Sequence, residues 1–278
     1  MTAVGAERFE IPSTGAHVIR GEVRLAPEPR GSVVLVHGFK GFARFAFFPW
    51  LADQLVASGF TALTFNFSGS GVGDDFETFT DLDGFAENSY TRELHDLALV
   101  IAESERRGWT GPQIGLFGHS RGGAVALLHA ARDARVRALV TWASIASVVR
   151  WTDQQMAEWR ERGHQEVPNT RTGQIFRVNT TLLDETQEHH LGRLNLRLAA
   201  SMLLCPWLIV HGDADESVPF AEGEQLQAAS DGRAELVRVA GGTHTFNVAH
   251  GMTAASPQLQ AAAEPTLHFF RERLWSRP

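Results

Sequence analysis

The sequence predicts an α/β protein built on a mostly parallel sheet, and three observations carry that expectation. Short apolar runs (SVVLVHG, FTALTFNF, QIGLFGHS, VRALVTWAS) alternate with longer amphipathic ones (FPWLADQLVASG, SYTRELHDLALVIAESERRG, GAVALLHAARD). The short runs are continuously apolar, as strands buried on both faces are, and the longer runs suit crossover helices. The chain is also long enough, since 278 residues with 44% hydrophobic content support a sizeable core, in one large domain or two small ones.

Taken in order, FEIPS and HVIRGEVRLA near the start alternate apolar with polar residues and are expected to be antiparallel strands at a sheet edge. PEPRG, residues 27–31, is a turn before the first fully buried strand. The strand and helix rhythm then runs to residue 146. From Ser147 to about Ala200 it breaks into a polar, Arg-rich stretch dotted with Trp, too long for a plain loop. PWLIVHG and AELVRVAG resume the sheet, with FAEGEQLQAAS between them and PTLHFFRERLW as a last helix. Residues 1–146 and 201–278 are therefore expected to form the core, with 147–200 inserted as a cap between the sixth and seventh strands.

Charge and composition narrow the function. There are 25 Lys and Arg against 32 Asp and Glu, a net charge of −7, which offers no basic stripe for nucleic acid. Cys205 is the single cysteine, so no internal disulfide forms, and LLCPWLIV suggests a small buried apolar role for it. The opening MTAVGAERFEIPSTG lacks an apolar core of signal-peptide length, and no stretch reaches the roughly 18 apolar residues of a membrane span. A cytoplasmic protein without a membrane partner is the expectation.

The chemistry centres on Gly118-x-Ser120-x-Gly122 in IGLFGHSRGGAVALLHAA. A serine on a sharp turn between strand and helix exposes its hydroxyl, and flanking glycines let neighbouring backbone pass. Here the motif follows an apolar strand and precedes an Ala/Leu-rich helix, which favours an elbow over a structural Gly-rich turn. A serine hydroxyl needs a base, and the base an orienting carboxylate. Asp213 and Asp215 both follow PWLIV, while His244 stands in GGTHTF after AELVRV. All lie where a parallel sheet places its carboxyl-end loops, in the order Ser, Asp, His. An oxyanion needs N–H donors, and the candidates are Arg121, directly after the serine at a helix start, and Phe39 in HGFKGF. Loss of one such donor typically costs roughly 3 to 4 kcal/mol in the transition state.

Together HGFKG, GHSRGG, HGDADESVP and GGTH resemble the α/β-hydrolase superfamily, over nearly the whole chain from about residue 10. The short leading strands and the insertion look like the dienelactone-hydrolase-like and cinnamoyl (feruloyl) esterase-like branch. The resemblance implies an α/β-hydrolase fold, Ser120 as nucleophile, His244 as base and the N–H groups of Phe39 and Arg121 as oxyanion hole. It also selects Asp215 over Asp213 as the acid, since Asp215 heads the D-x-x-V-P arrangement ending at Pro219. A dienelactone hydrolase proper carries cysteine at the position of Ser120, which argues against that reaction. The expected function is a serine hydrolase of carboxylic esters, of small acyl or hydroxycinnamoyl type, acting on a small molecule without cofactor or metal. The same triad serves oligopeptidase-like amidases and acyltransferases, and some members of the fold only bind ligands. A homodimer is among the assemblies the sequence leaves open.

Other features carry blander expectations. SGSGVGDD, residues 68–75, fits no phosphate-binding pattern and reads as a surface turn. His37, His119 and His211 lack metal-ligand spacing and read as hydrogen-bonded structural histidines. Trp142, Trp151 and Trp159 are equally well explained by lining a pocket and by packing cap on core. Arg121, Arg150 and Arg171 read as solvated or paired rather than as anion receptors.

Overall fold

The fold was obtained as a computed structural model describing residues 5–111 and 113–274. The chain runs through β1 (Glu7–Pro12), β2 (Val18–Arg24), β3 (Ser32–Val36), α1 (Phe48–Ala57), β4 (Thr61–Asn66), α2 (Leu82–Ala86), α3 (Tyr90–Arg106), β5 (Ile114–His119), α4 (Arg121–Ala130) and β6 (Val136–Trp142). Then come α5 (Asp153–Arg162), β7 (His164–Pro168), β8 (Ile175–Asn179), α6 (Thr180–His189) and α7 (Leu196–Met202). These are followed by β9 (Trp207–Gly212), α8 (Phe220–Ala229), β10 (Ala234–Val239) and α9 (Pro257–Arg273).

Eight strands form one sheet in the order β1-β2-β4-β3-β5-β6-β9-β10. The pairs β1–β2 and β2–β4 are antiparallel and every other pair is parallel, so the alternating leading segments do form an antiparallel edge. The period of two along each strand divides the core into two layers. Val33 and Leu35 pack with Leu51 and Leu55 of α1 and Leu259 and Phe270 of α9. Val34 and Val36 pack with Leu97 of α3, Leu127 of α4 and Leu226 of α8. Helices therefore cover both faces, and the loops at the carboxyl ends of β3, β5, β9 and β10 meet at one sheet edge.

Local chemistry sets the boundaries of the inserted elements. A capping box of Thr152 and Gln155 starts α5, and Gly163 in the left-handed region (φ 74°) ends it. The strands β7 and β8 then pair as an antiparallel hairpin from His164↔Asn179 to Pro168↔Ile175. Phe176 of this hairpin is fully buried against Phe79 and Phe85. Glu185 of α6 accepts hydrogen bonds from the Tyr90 and Thr91 N–H groups at 2.7 and 2.9 Å. A carboxylate thus meets the positive end of the α3 dipole, which fastens the insertion to the core. The helix α7 straddles residue 200, where the insertion was expected to end, and packs on α4 and α8 of the core layer.

Three expectations need adjustment. Residues 68–75 are not a surface turn at their start, because Ser68, Ser70 and Val72 are buried. A Cβ on Gly69 would come within 2.4 Å of Asn88 Oδ1, so close packing rather than solvent accounts for the glycine there. Trp142 lies wholly in the core against Phe47, Phe117 and Phe246, its Nε1 donating to Thr266 Oγ1. Cys205 is only partly buried, and that burial pushes its thiol up to about 11. Among the described residues no helix is long and apolar enough to cross a membrane.

Asp96 joins the edge hairpin to this turn. Fully buried in α3, it accepts a hydrogen bond from Ser13 Oγ and one of 2.7 Å from the Ser68 N–H. Asp96→Ala leaves that N–H without a partner and is expected to cost about 1 to 3 kcal/mol in urea unfolding. Asp96→Asn, which keeps an acceptor, should cost less.

Candidate active site

Ser120 stands between β5 and α4 with φ 56° and ψ −123°. This is a strained conformation for a residue with a side chain, worth of order 1 to 3 kcal/mol, and its neighbours enforce it. Its N–H donates to Trp142 O at 2.9 Å, tying the turn to the next strand. A Cβ on Gly118 would lie 2.4 Å from Gly122 O, and one on Gly122 would lie 2.3 Å from Val36 O. Both glycines are therefore required where strand, helix and the end of β3 cross.

The acid and base loops meet over this turn. His244 Nδ1 donates to Asp215 Oδ2 at 2.8 Å. Asp215 Oδ1 accepts from the N–H groups of Ser217 and Val218, both at 2.9 Å. Burial raises the Asp215 carboxyl, but hydrogen bonding to His211 and His244 outweighs it and holds the group well below the usual carboxylate range. Asp213 instead accepts from the Gly241 N–H at 2.7 Å and braces the loop that follows β10. Among the described residues no hydrogen bond joins Ser120 Oγ to His244, although both line one cavity. Such contacts commonly close only when substrate is bound.

The N–H groups of Phe39 and Arg121 make no hydrogen bond among the described residues. Phe39 is placed by a turn closed by Gly41 N–H to Gly38 O, 2.9 Å. A Cβ on Gly38 would lie 3.0 Å from Ser120 Cβ, so the turn runs directly against the elbow. The cavity holds about 420 Å³. Ile145 and Val218 of the core and Val148, Trp151, Trp159 and Leu182 of the insertion form its apolar walls. Trp159 Nε1 donates to Val178 O at 2.8 Å, and its ring meets Trp151 edge to face at 4.9 Å. Arg150 lines the cavity but is paired with Glu222 at 2.8 Å. Arg171 does not line it and donates to the Lys40 carbonyl, while Lys40 Nζ donates to Pro168 O at 3.0 Å. These two bonds clasp the hairpin to the Phe39 loop.

The three further histidines are each held by a backbone carbonyl around the site. His37 donates from Nδ1 to Gly38 O at 2.9 Å and accepts at Nε2 from the Phe67 N–H at 3.2 Å. His119 donates from Nε2 to the His244 carbonyl at 2.9 Å, and His211 from Nε2 to Val218 O at 2.8 Å. Burial brings His37 down to about 4 and His119 to about 3. Among the described residues no group of three or more His, Cys, Asp or Glu side chains is placed to hold a metal ion.

Sequence reasoning missed Glu93 and Tyr90. Arg121 Nε donates to Glu93 Oε2 at 2.8 Å, and Asn88 Nδ2 donates to Glu93 Oε1 at 2.8 Å. The Arg121 guanidinium carbon sits 4.1 Å over the Tyr90 ring. Burial pushes the Glu93 carboxyl up, with Arg121 pulling the other way. The signal was present, since Tyr90, Glu93, Asp96 and Leu97 share the buried face of α3, and charged residues in a core stripe need partners.

A profile of the serine aminopeptidase S33 family matches residues 27–191, a stretch that holds Ser120 but not Asp215 or His244. The 2,6-dihydropseudooxynicotine hydrolase of Paenarthrobacter nicotinovorans is 27% identical over 217 residues, 78% of this chain and 53% of that protein. Monoglyceride lipase of Saccharomyces cerevisiae is 30% identical over 112 residues, 37% of this chain and 31% of that one. The matched stretches thus span about half and about a third of these curated relatives. Among solved structures, Est1E from Butyrivibrio proteoclasticus with ferulic acid bound superposes with a TM-score of 0.75 at 18% identity, covering 96% of this chain and all of that one. At that identity the likeness speaks to the fold.

The buried histidines predict a pH dependence of stability. Their folded values are depressed, so below about 6.5 the unfolded chain takes up protons that the native protein refuses. Stability should fall from there toward pH 4 by about 1.4 kcal/mol per pH unit for each of His37 and His119. Urea unfolding between pH 7 and 4.5 measures the slope, and His37→Gln should reduce it by one proton's share.

Proposed function

The chain belongs to the serine aminopeptidase S33 family of α/β hydrolases, and we propose that it is a serine hydrolase cleaving carboxylic esters through an acyl-enzyme. One observation carries the proposal. The strained Ser120 at the head of α4 and a His244 already hydrogen-bonded to Asp215 open on the same apolar cavity. Ser120 Oγ attacks the ester carbonyl carbon while His244 Nε2 takes its proton. The Asp215 carboxylate holds the imidazole by its Nδ1–H and stabilises the imidazolium. The N–H groups of Phe39 and Arg121 receive the oxyanion, helped by the start of α4. Collapse breaks the C–O bond, and His244 returns the proton to the departing alcohol. Water, deprotonated by His244, then attacks the acyl-enzyme to release the acid and restore Ser120.

Small and medium acyl groups, hydroxycinnamoyl groups included, suit a cavity of this volume with Trp151 and Trp159 in its walls. The charged side chains lining it are the cations Lys40, Arg121 and Arg150, the last two ion-paired, beside His244. That lining favours a neutral or electron-rich acyl group over the free ammonium an aminopeptidase must hold.

A fluorophosphonate probe should add its mass to the wild-type protein and not to Ser120→Ala, with hydrolysis of p-nitrophenyl acetate, butyrate and octanoate followed in parallel. Equal labelling of both proteins, or neither labelling nor turnover, overturns the assignment. Ser120→Ala should lower kcat by at least about 10⁴-fold and Asp215→Asn by a similar factor. Asp213→Ala should stay near the wild-type value, which separates the two carboxylates.

A further inference from the structure

The polar groups beside Ser120 in the cavity have bonding capacity that the protein does not use. Arg121 is 7% exposed and Tyr90 3%. Of the Arg121 nitrogens, Nε is occupied by Glu93, while among the described residues neither Nη atom donates a hydrogen bond and Nη2 is buried without a partner. The Tyr90 hydroxyl likewise has no hydrogen-bond partner among the described residues, and both side chains line the cavity. A plain structural ion pair bracing α4 on α3 explains Nε and Glu93. It does not explain the unpartnered Nη2, since buried polar groups are ordinarily satisfied, and the Tyr90 hydroxyl, which is not sealed from solvent, remains open to a ligand.

We propose that the Arg121 guanidinium and the Tyr90 hydroxyl form a subsite for a neutral hydrogen-bond acceptor, such as a ketone, ether or amide oxygen, carried by the acyl group of the substrate. The subsite rests on the ester-hydrolase reading and names the acyl chemistry within it. Idle N–H groups can only donate, so the matching atom on the ligand is an acceptor. A neutral acceptor fits better than a carboxylate, because Glu93 already balances Arg121 at 2.8 Å and Glu185 stands behind Tyr90. An anion at this pair would have to compete with the Glu93 carboxylate already bound to Arg121. The surrounding walls of Trp151, Trp159, Val178 and Leu182 take the hydrocarbon part of the same group. Discrimination comes from the penalty on a plain alkyl chain, which leaves the donors unpaired.

The test compares p-nitrophenyl pentanoate and heptanoate with their 4-oxopentanoate and 6-oxoheptanoate counterparts. The ratio of kcat/KM, oxo over alkyl, is read in the wild type and in Tyr90→Phe, so that the intrinsic reactivity of each ester cancels. At one or both lengths the ratio should fall about tenfold in Tyr90→Phe. It should fall again in the double variant Arg121→Met with Glu93→Gln, which removes both charges together. Tyr90→Phe keeps the ring under Arg121 and is the variant expected to fold as wild type. Calorimetry on Ser120→Ala with methyl 6-oxoheptanoate and methyl heptanoate reads the same preference without chemistry, and adding Tyr90→Phe should abolish it. A binding preference without ester turnover in the wild type sustains the subsite and overturns the esterase reading. Turnover with a ratio indifferent to Tyr90 and Arg121 overturns the subsite alone, and failure of both measurements overturns both.

Discussion

The backbone at Ser120, held at φ 56° where β5 turns into α4, is the constraint on which the rest of the site depends. It persists because two glycines let three pieces of chain cross within contact distance, and because the Trp142 carbonyl takes the Ser120 N–H. The consequence reaches beyond the serine. Gly122 can lie against the Val36 carbonyl only if it has no side chain, and that approach sets the loop after β3 beside the elbow. The same packing that strains Ser120 therefore sets the turn that carries Phe39 against the elbow.

Around this turn the protein manages protons by removing alternatives. His37, His119 and His211 are each bound to a backbone carbonyl, and burial keeps His37 and His119 neutral, so those two act as fixed dipoles. Asp215 is the opposite case, a buried carboxylate kept ionised by hydrogen bonds. His244 is thus the imidazole that touches a carboxylate at 2.8 Å and faces the cavity. In the proposed reaction, a proton leaving Ser120 has one well-prepared place to go.

The inserted segment supplies the other half of the cavity and is bound to the core by polar contacts. Glu185 meets the start of α3, and Lys40 and Arg171 exchange bonds between the hairpin and the Phe39 loop. The Phe39 loop and the inserted walls of the cavity are consequently coupled, since the residue next to Phe39 also holds the hairpin.

The sequence by itself determined the layering and the elbow. Apolar strands buried on both faces and a glycine-framed serine after one of them are local patterns, and local sterics decide them. It also indicated that a carboxylate and a histidine would follow in the last two strand-end loops. Which carboxylate meets His244 was settled by tertiary structure, because Asp213 and Asp215 are two residues apart and differ only in where the loop turns. The placing of Trp142 in the core and of Trp151 and Trp159 in the cavity was decided the same way. So was the pairing of Arg121 with Glu93, 28 residues away in sequence. Contacts of that range depend on how α3, α4 and the insertion pack, and no periodicity within a single segment encodes that packing.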